Sequence, residues 1–142
     1  MANSLYTAAR AAFLQGQIDW VTDTIKVALV DTDGYTVNLD VHTHYDAVAP
    51  YQVNTAQSLA SKTVSAEGAA AAANVTFSSV QAIGGGTGAI EAIVIYKEVN
   101  PADNTQNPLI AYIDTATGLP ITPNGGDIIV TWDTGINKIF RL

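Results

Sequence analysis

The sequence predicts a mainly β, antiparallel domain, a β-sandwich or jelly roll, preceded by one short helix. Three observations predict it. Apolar residues alternate with a period of two through several segments after Thr24. Gly, Pro, Asn and Asp cluster between those segments, as turns require. Helix never alternates with strand, which argues against a parallel doubly wound sheet.

The helix comes first. Ser4 is placed to cap it through its hydroxyl. Leu5, Ala8, Ala9, Ala12 and Phe13 recur at three-to-four spacing, so one face is apolar from Ser4 to Gln15. Gly16 is the expected stop, because glycine tolerates the left-handed turn. So short a helix is marginal alone and must pack on something.

The period then changes. Thr24 to Asp31 reads TIKVALVD, apolar on both faces, and predicts a strand buried on both sides. Thr32 to Thr55 is irregular, polar and aromatic, with turns at Asp33-Gly34 and Ala49-Pro50. Its length points to a functional loop or a contact with a partner. Further strands are expected at Lys62 to Ala66, Val75 to Val80, Ala89 to Val99, Leu109 to Asp114, Asp127 to Asp133 and Lys138 to Leu142. The alanine run Ala69 to Ala73 has helical propensity but is too short to hold a helix. About seven or eight strands after one helix suit a sandwich. Trp20 and Trp132 are expected in the core.

Composition sets the limits. The 142 residues fit a single domain over 1–142 with a real core. Hydrophobic residues are 48% and charged residues 13%, the reverse of a disordered chain. That charged fraction is about half the usual one, so either neighbouring subunits cover some surface or Ser, Thr, Asn and Gln hydrate it instead. Thirteen acids face six bases, and no Lys or Arg cluster occurs, which argues against direct nucleic-acid binding. Cysteine is absent, so thiolate zinc sites and thiol nucleophiles are excluded. Met1 to Leu14 has no apolar run after a basic start, so no signal peptide is expected. No apolar stretch is long enough to span a bilayer. The chain is expected to be made in a cytoplasm.

Few constellations could carry chemistry. Asp40, His42, His44 and Asp46 form the one dense cluster, DVHTHYD. In an extended segment these alternate side chains would share a face, and His and Asp suit zinc or manganese. A metal centre needs at least three converging ligands, so two imidazoles in polar loop contacts are the expectation. Asp31-Thr32-Asp33-Gly34 resembles the start of a calcium loop, but His42 stands where the final acid belongs, and an Asp-Gly turn explains it better. Gly84-Gly85-Gly86-Thr87-Gly88 lacks the Lys and Ser or Thr of a phosphate loop and leads into a strand. Those glycines are expected to serve a tight bend or a subunit contact. No G-x-S-x-G elbow exists. No catalytic, cofactor-binding or metal residue is therefore assigned, and the chain is not expected to be an enzyme.

Three segments carry a resemblance. They are Leu5 to Thr32, with VALVDT; Glu91 to Glu98, EAIVIYKE; and Pro108 to Leu142, with IAYIDTATGLP and a GGDI-x-V-x-W strand. Together they resemble small structural proteins of tailed bacteriophages and prophages, with Asp40 to Ala73 matching least. The resemblance implies a virion structural protein, and a capsid decoration (cement) protein first. It also implies a homo-oligomer, with a trimer preferred, bound to virion proteins such as the major capsid protein. A neck, collar or tail component is the alternative. A receptor- or carbohydrate-binding module, using the aromatic loop around Tyr45 and Tyr51, is a further one.

Overall fold

The computed structural model describes residues 3–85 and 88–142. Gly86 and Thr87, in the middle of the glycine run, lie outside the described residues. The chain is mainly β and antiparallel, with ten strands and one α-helix among the described residues. In chain order these are β1 (Ser4–Leu5), α1 (Thr7–Leu14), β2 (Ile25–Val30), β3 (Gln52–Ser58), β4 (Thr63–Val64), β5 (Ala69–Ala71), β6 (Val75–Phe77), β7 (Ala92–Lys97), β8 (Leu109–Ile113), β9 (Ile128–Val130) and β10 (Phe140–Arg141).

Five strands form the main sheet in the order β1-β8-β7-β2-β3. Its centre is β2 against β7, in unbroken register from Ile25 opposite Lys97 to Val30 opposite Ala92. The double-sided burial expected of β2 holds, and it extends to β7 and β8. Continuous apolar runs such as IVIY and LIAYI suit a strand with no solvent face.

Register sorts the side chains onto two faces. Val94 lies opposite Tyr112 and carries the tyrosine face. Ile93 opposite Ile113, and Ile95 opposite Ala111, carry the aliphatic face. Residues 35–51 cover the tyrosine face: Tyr45 stacks on Tyr96 at 3.8 Å, and Tyr35 sits 6.3 Å from Tyr112. Two smaller sheets, β10-β5-β4 and β6-β9, supply the layer against the aliphatic face. Their Ala70, Val75, Phe77 and Val130 join the same buried cluster as the main sheet. The long polar segment thus packs on its own chain, because its tyrosines bring more apolar area to bury than its turns suggest.

Several expectations are corrected. Ser4 is no helix cap; it pairs with Tyr112 as β1. The helix starts at Thr7, and its N-cap residue, Tyr6, offers no side-chain cap. The apolar face of α1 is Ala9, Ala12 and Phe13, and Leu5 belongs to the strand. The helix does end as expected. Gly16 has φ +69°, its N–H donates to Phe13 O, and Gln17 N–H donates to Ala12 O, which is a Schellman close.

The alanine run is β5, held between β4 and β10, so pairing on both sides overrides its local propensity. β3 was hidden because QVNTAQS is polar and lies at the sheet edge; only Val53 and Ala56 turn inward. Trp20 is buried, as expected, with Nε1 donating to Ala71 O at 3.0 Å. Trp132 is only half-buried, with Nε1 donating to Ala73 O. No helix among the described residues is long and apolar enough to cross a membrane.

Candidate functional site

The histidine segment does not fold into one site. It bends at Asn38, whose carbonyl accepts from the N–H groups of Val41 and His42, so alternate side chains no longer share a face. His42 Nδ1 accepts from Asn38 N–H at 3.3 Å and lies 3.0 Å from Tyr35 Oη. A backbone N–H can only donate, so the ring proton sits on Nε2 and the Tyr35 hydroxyl donates to Nδ1. Tyr6 Oη, 2.9 Å from Tyr35 Oη, then donates to Tyr35. His44 Nδ1 meets Thr43 Oγ1 at 2.8 Å instead. Asp40 accepts from Thr7 Oγ1 and ties the loop to α1. The two imidazoles make polar loop contacts, with His42 ending a short tyrosine relay.

A different acidic group does converge. Asp31, Asp33 and Glu91 place one carboxylate oxygen each within 4.8 Å of one another. Asp31 Oδ1 accepts from Asp33 N–H at 3.0 Å, and Glu91 Oε2 accepts from Thr32 N–H at 2.7 Å and Thr32 Oγ1 at 3.2 Å. The Asp-Gly turn expected there is a short 3-10 turn, Thr32–Gly34, capped by Asp31. The sequence could not reveal Glu91, which arrives from the strand entering β7. Three hard oxygens can hold a divalent cation, but calcium takes about six to eight.

The glycine run has a related role. Gly84 takes φ +64°, which is the expected tight bend. A Cβ on Gly88 would lie 2.2 Å from Asp31 Oδ2, so any larger residue there would have to displace the Asp31 carboxylate.

Burial sets the chemistry of the tyrosines. Tyr6 and Tyr45 are pushed well above the ordinary phenol range, chiefly by desolvation. Tyr96 and Tyr112 are pushed up to about 12, again mainly by burial, with Glu98 and Asp114 respectively adding to it. All four stay neutral at physiological pH and act as packing groups with a polar tip. Tyr45, expected on a binding loop, is buried against Tyr96.

A groove of about 1250 Å³ runs along the aliphatic face. Ile93, Ala111 and Ile113 form part of its floor. Leu14 of α1 and Ile129, Phe140 and Leu142 of the C-terminal segment wall it. Leu14 is 91% exposed, and Ile129 and Leu142 are 62% exposed, so these walls present apolar surface to solvent. The two adjacent isoleucines, Ile128 and Ile129, were the available sequence signal, since strict alternation fails there.

No family model matches the chain, and no curated protein matches it either.

Proposed function

We propose that this chain is a virion structural protein of a tailed bacteriophage, a capsid decoration (cement) protein that acts by oligomeric packing on the shell and not as an enzyme. The groove, along which Leu14, Ile129 and Leu142 are exposed, carries the reading. Exposed apolar surface on a folded chain marks a place for a partner. The chain combines it with a charged fraction of only 13%. The resemblance in VALVDT, EAIVIYKE and IAYIDTATGLP supports the phage assignment. The polar groups that burial perturbs most are neutral tyrosines, which suit packing better than proton transfer.

Cryo-electron microscopy of the parent particle tests this. Many copies over the shell, touching the major capsid protein, are expected. A single ring at the portal vertex would favour the neck or collar reading, and absence from the particle would sink both. A carbohydrate-binding role draws no support from Tyr45, whose ring faces inward.

A further inference from the structure

The six cations of this chain are unevenly used. Lys26 pairs with Glu98 at 2.9 Å, and Lys97 pairs with Asp23 at 2.9 Å. Lys62 donates to the Asp23 carbonyl. The other three, Arg10, Lys138 and Arg141, all line the apolar groove. None of them forms an ion pair among the described residues. Lys138 Nζ and Arg141 Nε reach only backbone carbonyls, those of Thr134 and Glu67. Glu67 lies within the field of Arg141 and Lys138, but it does not line the groove. Asp133 is the one acid among the lining residues. The remaining twelve acids lie elsewhere on a chain of net charge −7.

We infer that the groove receives the acidic surface of a second copy of this chain, in a head-to-tail contact. Charge complementarity argues for this occupant. A groove with unpaired cations at its rim attracts an acidic surface, and the rest of this molecule is one. Exposed Leu14, Ile129 and Leu142 supply apolar area to bury, while the rim charges set orientation. Charge also disfavours the symmetric alternative. A two-fold contact of groove on groove would bring two rims carrying Arg10, Lys138 and Arg141 together, with Asp133 as the one acid among the lining residues. Groove against acidic surface is a heterologous contact, and such contacts close into rings when the rotation permits. The inference rests on the homo-oligomeric packing proposed above and specifies its geometry.

The test compares masses by light scattering behind size exclusion, using the full chain. Wild type is expected to form a closed oligomer whose apparent dissociation constant weakens about tenfold or more between low and molar salt. The triple variant Arg10→Glu, Lys138→Glu, Arg141→Glu is expected to be a monomer with an unchanged far-ultraviolet spectrum. Leu14→Ser is a second lesion at an exposed position, expected to weaken assembly without unfolding the core. The triple variant keeps its acidic surface, so in excess it should occupy wild-type grooves and break wild-type oligomers into smaller ones. A wild type that is monomeric at every concentration, a triple variant that assembles normally, or one inert toward wild type would overturn the inference. A chain that assembles through the groove but never enters a particle would sink the virion reading alone. One that decorates particles as a monomer would sink the head-to-tail contact alone.

Discussion

β7 and β9 are both written in isoleucine and valine, yet they have opposite fates. Ile95 of β7 is fully buried, between β2 and β8. Ile129 of β9 is mostly exposed, on a strand paired only with β6. Composition therefore does not decide burial; position in the sheet does. A central strand has neighbours on both edges and layers on both faces, whereas β9 and β10 each have one pairing partner and border an open groove. One region is a finished core. The other is apolar surface awaiting something to cover it.

Raising the pH should separate the two regions most. Tyr6, Tyr45, Tyr96 and Tyr112 all lie in the main sheet or the layer on it, and the segment from Ile128 to Leu142 has no tyrosine. Their folded pKa values are raised above the unfolded value of about 10. The stability they contribute is complete below pH 10 and is lost as pH rises toward 12 and beyond. Cooperative alkaline unfolding in that window is expected by circular dichroism. A melting temperature flat from pH 9 to pH 12 would break the comparison.

Truncation should follow the same division. Ile95→Ala opens a cavity between paired strands and should cost about 2–5 kcal/mol in a urea melt. Among the described residues Asn107 is the one buried polar residue outside the tyrosine set, and it organises the β7–β8 connection. Its Oδ1 accepts from Val99 and Asn100 N–H at 2.8 Å each, and its Nδ2 donates to Asn100 O. Asn107→Ala strands those donors and should cost about 1–3 kcal/mol. Ile129→Ser should change monomer stability by no more than about 0.5 kcal/mol. Its effect should appear instead as weaker self-association by sedimentation. A large loss of monomer stability there would mean that the groove is core and not interface.

The helix, the double-sided burial of β2 and the positions of β7 and β8 along the chain were legible in the sequence, because period and apolar run length are local properties. The polar edge strand β3 was not, and neither were three further features. β5 is an alanine run whose backbone bonds go to β4 and β10, both distant or polar in sequence. The segment from Thr32 to Thr55 looked like a functional loop or a partner contact, yet Tyr35 and Tyr45 bury its residues 35–51 on the sheet. DVHTHYD was read as polar loop contacts, but its partners were not legible: a turn at Asn38 sends His42 to Tyr35 and Asp40 to Thr7.

By itself the sequence determined a mainly β chain with one short helix, an acidic balance and no thiol chemistry, because composition and period act at short range. The tertiary structure alone decided which apolar residues would be left facing solvent. It gathered Arg10 from the helix with Lys138 and Arg141 from the far end of the chain. It also brought Glu91 to Asp31 and Asp33. These pairings depend on strand order and register, which bring together residues far apart in the chain, and no local pattern encodes that distance.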